Sequence, residues 1–284
     1  MNIMSNASQP LPFTKVDKIL ENKDLPNITI CIPCYKRRKF ISLMLTNIVA
    51  MDYPKEKIEV NILQDGPEDL FASKAELEYF KTEISPATLQ YKYEPKVRRS
   101  IGEKRNLLVK SSKYKHLAMM DSDDIYLPTY LRYSMSAMKQ YKCGITTSAG
   151  MLFIYPHLDY KLTGIQCGHK WQGHEACCVF TKRHWKAMGG FISKGKESNM
   201  GEGVKMIEAA QNLMVNLDIS MLMVCVAHKG EEGNTIDKDR FISAEIDKEI
   251  NDMPHLQVLK SIMAEKQEVD QSLEVNQSLE VNQS

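Results

Sequence analysis

Between Asn27 and Asp124, short apolar runs alternate with segments of helical spacing, and each apolar run ends directly in polar residues. Ile28, Ile30 and Ile32, with Thr29 and Cys31 between them, form a buried-strand run closed by Pro33. Arg38 to Ala50 then sets Phe40, Met44 and Ile48 on one helical face, and Asp52-Tyr53-Pro54 stops that helix. Ile58 to Leu63 is a second strand, ended by the turn signal Asp65-Gly66-Pro67. Leu70 to Thr82 reads as a helix, Leu89 to Tyr93 as a strand and Gly102 to Lys110 as a helix. His116 to Met120 is an apolar strand that runs straight into Asp121-Ser122-Asp123-Asp124. Alternation at this spacing predicts βαβ units, hence an α/β/α sandwich with a mostly parallel central sheet. Such sheets bind ligands beyond the carboxyl ends of their strands. The residues to inspect are therefore Pro33 to Arg38, Asp65-Gly66 and Asp121 to Asp124.

The second half is less regular. Leu127 to Met138 and Val204 to Met214 read as helices, and Ala149 to Tyr155, Ala176 to Thr181 and Met221 to Val226 as strands. One domain is expected over 27–235, in two halves, 27–125 and 126–235. Residues 1–26 read as a flexible leader, 236–270 as a charged helical appendage, and 271–284 as a disordered tail built on a hexad repeat. Two hexad copies are too few to stack into a solenoid core.

Composition narrows the function. Lys plus Arg number 37 against 36 Asp plus Glu, so no global field draws the chain to nucleic acid. The longest apolar stretch, Leu213 to Ala227, is short and carries Asn216 and Asp218, so no transmembrane segment is expected. The start lacks a signal-peptide pattern, and the seven cysteines lack paired Cys-x-x-Cys spacing. Both features predict a cytoplasmic protein with reduced thiols.

The carboxylates at Asp121, Asp123 and Asp124 carry the sharpest chemistry. On an extended strand end, Asp121 and Asp123 would point to one side. Two like charges about 5 Å apart repel by roughly 3 kcal/mol at an effective dielectric of 20, so a cation or a basic side chain must offset them. Hard oxygen donors suit Mg²⁺ or Mn²⁺ and leave room for substrate phosphates; the alternative is a solvated acidic turn. Lys96, Arg98, Arg99, Lys104 and Arg105 lie close by in sequence, around a helix start at Ser100 and Gly102. That segment is either a solvated helix face or a diphosphate site built from backbone N–H groups and guanidinium forks. No P-loop spacing is present.

At this point the sequence resembles a known family. Ile28 through Arg37, Asp52-Tyr53-Pro54, Ile58 to Gly66, Gly102-Glu103-Lys104-Arg105-Asn106, Asp121 to Asp124, Gly189-Gly190-Phe191 and Gly201-Glu202-Gly203 follow in the order seen in GT-A glycosyltransferases. The family meant is the large inverting one that includes the cellulose, chitin and hyaluronan synthases. The chain also resembles its soluble members encoded by large DNA viruses. The likeness covers about residues 27–235 and implies a nucleotide-sugar-binding half over 27–125 and an acceptor half over 126–235. It implies metal-dependent transfer of a sugar from a UDP-, GDP- or dTDP-linked donor to a glycan or other hydroxyl acceptor, with inversion. It further implies that Pro33, Tyr35 and Asp65 hold the nucleoside and that Arg105 reaches the nucleotide or its phosphates. Asp121 would contact ribose or sugar, and Asp123 would ligate Mn²⁺ or Mg²⁺, with His228 as a further ligand.

An inverting transfer needs a carboxylate to take the acceptor proton. The family commonly places Glu-Asp after Gly-Gly-Phe, the Asp serving as base, but here Gly203 follows Glu202. Glu202 is one candidate for the base, and Glu175, before the strand at Ala176, is the other. Two rival readings stand beside the transferase. One is a nucleotidyltransferase on a related fold, although Cys34 to Arg38 lacks that class's glycine-rich loop. The other is a non-catalytic nucleotide-binding module.

Overall fold

The computed structural model describes residues 13–166, 173–199, 201–208, 214–228, 238–242 and 254–264. Four strands of its first half, β1 (Ile28–Tyr35), β2 (Ile58–Asp65), β3 (Thr88–Glu94) and β4 (His116–Met119), run parallel in the spatial order β4-β1-β2-β3. All eight residues of β2 are buried, as a parallel strand covered on both faces requires. The edge strand β3 alternates between more and less exposed residues instead. Helices α1 (Ile41–Ala50), α2 (Lys74–Ile84) and α3 (Ile101–Ser111) form the crossovers. The Ser73 and Ser100 hydroxyls accept the N–H groups of Glu76 and Glu103 and so start α2 and α3.

Apolar residues on the two faces of β1 enter two separate cores. Ile28, Ile30 and Ile32 pack with α1, α2 and the later helix α4 (Tyr130–Tyr141), whereas Cys31 packs with Leu108 and Val109 of α3. The result is the α/β/α sandwich predicted from sequence. The main sheet is completed by β6 (Ile145–Thr147), β9 (Val179–Thr181) and β10 (Met214–Asn216), giving the order β10-β6-β9-β4-β1-β2-β3. Within it, only β9 runs antiparallel to its neighbours, β4 and β6. A second sheet, not expected from sequence, has the order β5-β11-β7-β8, formed by β5 (Ile125–Tyr126), β7 (Gly150–Tyr155), β8 (Lys161–Gln166) and β11 (Met223–Val226).

Two expectations change. The helix predicted over Val204 to Met214 is described over Val204–Glu208, and Met214 instead opens β10, paired with Ile145. The strand predicted to carry Asp121 ends at Met119; Asp121 to Asp124 form a turn rather than an extended strand end. Because β4 pairs with β1 only over Ile28 to Cys31, the chain leaves the sheet early, and this turn lies beside the carboxyl half of β1.

Within the predicted leader, residues 1–12 lie outside the described set, and Leu20 and Leu25 are buried in the core. Arg132 of α4 donates to the Leu20 carbonyl at 2.6 Å. The repeat tail, 271–284, also lies outside the described residues. Of the predicted appendage, a helix over 254–264 buries Leu256, Leu259 and Ile262 in the main core. Among the described residues, no helix is long and apolar enough to cross a membrane.

Candidate functional site

Beyond the carboxyl ends of β1 and β4 lies a cleft of about 590 Å³, lined on one side by Pro33, Tyr35 and Asp121 to Asp124 and on the other by Glu175 and Glu202. The sequence-predicted residues therefore converge, apart from Asp65 and His228, which sit one layer behind the wall.

Tyr35 and Asp65 end β1 and β2 in register. Gly66, at φ +90°, turns the chain so tightly that a Cβ there would meet the Tyr35 ring at 2.5 Å. Asp65 is fully buried and accepts from Lys104 Nζ at 2.8 Å and from the Arg99 backbone N–H at 2.6 Å. Arg98 lies 3.6 Å from the same carboxylate, with its guanidinium 3.5 Å from the centre of the Tyr35 ring. Lys104 also donates to the Cys34 carbonyl, and burial pushes its amine down while Asp65 pulls it back up. The basic segment thus gathers around Asp65. Asp65 meets the cleft through Lys104, Arg98 and Tyr35 rather than by its own exposed face.

Arg105 is buried and sits between two acids, with Nη2 2.9 Å from Asp121 and Nη1 3.0 Å from Glu202. This placement depends on Gly102. A Cβ on Gly102 would lie 1.8 Å from the Ile192 carbonyl oxygen, so only glycine lets the segment before Glu202 close onto α3. Ile192 N–H in turn donates to the Glu202 carbonyl at 2.8 Å.

The acidic turn is pinned from behind. The Asp121 N–H donates to the Tyr126 hydroxyl at 2.7 Å, and that hydroxyl donates to the Ala176 carbonyl at 2.9 Å. Asn47 of α1 donates to the Asp124 carbonyl and accepts the Tyr126 N–H. Asp124 points inward and accepts the Val226 N–H at 2.8 Å, with Lys238 at 3.5 Å. Burial, only partly offset by Lys238, raises the Asp124 carboxyl to about 7.

Asp123 faces Arg37 Nε at 2.9 Å and His228 Nε2 at 3.0 Å. Burial acts to raise its carboxyl, but Arg37 and His228 together hold it well below the usual range. Burial pushes the His228 imidazole down, against the pull of Asp123, toward the neutral form that ligates metals. Among the described residues, no group of three or more His, Cys, Asp or Glu gathers as a complete metal-ligand set. Asp123 and His228 still offer one hard oxygen and one imidazole nitrogen side by side. Those donors are of the kind a divalent cation takes, and they would supply two of its ligands.

Glu175 and Glu202 meet at the other wall. The Gly203 N–H donates to Glu175 Oε1 at 3.3 Å. Burial first, and the Glu202 charge second, raise the Glu175 carboxyl to about 7 against the pull of Arg105. Sequence reasoning singled out Arg37 only as part of the Pro33 to Arg38 segment, without a partner, and missed Lys238, Arg240 and Phe241. Arg37 lies two residues past the end of β1, whereas the other three belong to a short turn, Lys238–Phe241, that folds back to line the cleft.

The sequence matches Glycosyl transferase family 2 over residues 29–182. Among solved structures, the mannosyltransferase PcManGT from Pyrobaculum calidifontis, in complex with GDP-Man and Mn²⁺, aligns with a TM-score of 0.55 and 16% identity. That alignment covers 76% of this chain and 61% of PcManGT. S. aureus TarS 1-349 in complex with UDP-GlcNAc aligns with a TM-score of 0.55 and 14% identity, covering 84% of this chain and 66% of that one. At these identities the likeness concerns the fold. The chain spans about three fifths of PcManGT's length and about two thirds of the TarS segment. No curated protein sequence matches it.

Proposed function

The chain belongs to glycosyl transferase family 2, and from that premise we propose that it moves a sugar from a nucleoside-diphosphate sugar to a hydroxyl acceptor with inversion at the anomeric carbon. The observation that carries this reading is one cleft joining three groups of residues. They are the Tyr35–Arg98–Asp65 cluster, the Asp121-to-Asp124 turn and the Glu175–Glu202 pair, the last two tied together by Arg105.

Tyr35 and Arg98 present a flat face and a cation to the nucleoside, and Asp65 positions that surface through Lys104 and Arg99. Asp121, fixed by Arg105 and Tyr126, addresses ribose or sugar hydroxyls. Asp123 and His228 would hold Mn²⁺ or Mg²⁺, which when bound supplies positive charge against the diphosphate. Arg37, Lys238 and Arg240 add fixed cationic charge along the same wall. A carboxylate of the Glu175–Glu202 pair takes the acceptor proton.

The test is a screen of UDP-, GDP- and dTDP-sugars with Mn²⁺, Mg²⁺ or EDTA, read as released nucleoside diphosphate, for wild type and Asp123→Asn. Metal-dependent release from one donor, lowered at least tenfold in Asp123→Asn, is expected. Nucleotide binding without release from any donor would favour a binding module. Absence of both would refute the reading.

A further inference from the structure

We propose that Glu175 is the group that takes the proton from the acceptor hydroxyl, and that it does so from the space a side chain at position 203 would fill. The inference rests on the transferase reading above and goes further by choosing between the two carboxylates.

A Cβ built on Gly203 would lie 2.2 Å from Glu175 Cγ, 3.2 Å from its Cδ and 3.3 Å from its Cβ. A side chain at 203 and the Glu175 side chain as it stands therefore exclude one another. The Glu175 carboxylate is fastened there by the Gly203 N–H at 3.3 Å. The turn that carries it is fixed to the donor side, because Tyr126 bonds both the Asp121 N–H and the Ala176 carbonyl. Glu202 is committed differently. Its side chain is only 6% exposed and lies 3.0 Å from buried Arg105, which also holds Asp121. Among the described residues, Glu175 makes no ion pair, and it lines the cleft. Glu202 is thus a positioning residue acting through Arg105, and Glu175 is the acid left to exchange a proton. Its raised proton affinity, near 7, suits that exchange at neutral pH.

In the step, the acceptor O–H proton passes to the Glu175 carboxylate while the acceptor oxygen bonds to the anomeric carbon. The bond from that carbon to the diphosphate oxygen breaks, and its electron pair leaves with the nucleoside diphosphate.

The experiment uses the full chain with Mn²⁺ and UDP-GlcNAc or GDP-Man, with water as acceptor, reading nucleoside diphosphate release against pH. Glu175→Gln is expected to lower kcat at least about 100-fold, with donor KM within threefold, and to lose the acid limb near pH 7. Gly203→Ala, which displaces the Glu175 side chain, is expected to lower kcat at least tenfold. Glu175→Ala combined with Gly203→Asp is expected to exceed Glu175→Ala alone by at least tenfold, since the new carboxylate enters the vacated space. Melting curves of each variant separate loss of fold from loss of chemistry, and Glu175→Gln, which preserves shape, decides the matter if the double variant does not fold. A Glu175→Gln enzyme within threefold of wild-type kcat overturns the proposal, as does an acid limb that disappears in Glu202→Gln but persists in Glu175→Gln. A wild type that releases nothing from any donor instead overturns the transferase reading, and this assignment falls with it.

Discussion

Lys104→Met removes one partner of a buried ion pair while keeping the bulk of the side chain, so its cost isolates charge from packing. The Lys104 and Asp65 side chains are 3% and 0% exposed, at 2.8 Å. Leaving one buried charge without its partner costs about 3–5 kcal/mol. Two groups soften the loss here: the Arg99 N–H remains 2.6 Å from Asp65, and half-exposed Arg98 remains at 3.6 Å. The expected cost therefore lies at the low end, about 3 kcal/mol. For a chain of 284 residues the unfolding entropy near Tm is about 0.6 kcal/mol/K, so Tm should fall by about 5 °C. Thermal melts at pH 7.5 for wild type, Lys104→Met, Asp65→Asn and the double variant give the cycle. The double variant leaves neither charge unpaired and should recover at least about 1 kcal/mol over the sum of the singles. A Lys104→Met protein melting within 1 °C of wild type, or strict additivity in the cycle, would refute the assignment of Lys104 as the main support of Asp65.

Three further outcomes follow from the site. Tyr126→Phe deprives the Asp121 N–H of its acceptor and the Ala176 carbonyl of its donor, and should cost about 1–3 kcal/mol, checked by urea unfolding. Gly102→Ala drives a methyl into the Ile192 carbonyl, a backbone atom, and should cost about 1–3 kcal/mol of overpacking, seen as a lower Tm with the Glu202 segment detached from α3. Glu175 carries a folded-state pKa of about 7 against an ordinary 4.5, so the folded state binds more protons than the unfolded between those values and loses stability as pH rises through that window. Glu175→Gln should therefore be more stable than wild type by about 3 kcal/mol at pH 8 and nearly equal to it at pH 4.5, measured by melts at both values.

The first half of the fold was legible because its strands are covered on both faces. Ile28 to Ile32 and Ile58 to Leu63 carry an apolar residue at every second position, and their ends name the ligand-facing loops directly. The second half was not legible because its strands are short and held by distant partners. Met214 looks helical from its apolar spacing, and only pairing with Ile145 makes it a strand. Two-residue β5 carries no period at all. The site shows the same division. Asp65 and Asp121 to Asp124 could be found by their position at strand ends, but which cation serves which acid is a tertiary fact. Lys104 and Arg98, read from sequence as part of a diphosphate site or a solvated helix face, attend Asp65, while Arg37 reaches Asp123 across 86 positions of chain.

That pairing of cations bears on what a metal could do for the molecule. Read from sequence, Asp121 and Asp123 repel each other and call for an added cation. In the fold, Arg105 lies 2.9 Å from Asp121 and Arg37 lies 2.9 Å from Asp123, so each acid already has its own arginine. The repulsion is offset by the chain itself, and folding is expected to proceed without an added ion. A divalent cation shared by Asp123 and His228 would thus add to nucleotide binding without adding to the core. EDTA should leave the Tm of the nucleotide-free protein within about 1 °C while abolishing the rise that UDP or GDP produces with Mn²⁺, because a ligand stabilises only the state it binds. A large fall in Tm on chelation alone would mean that Arg37 and Arg105 do not balance the acidic turn, and that the cation is part of the fold.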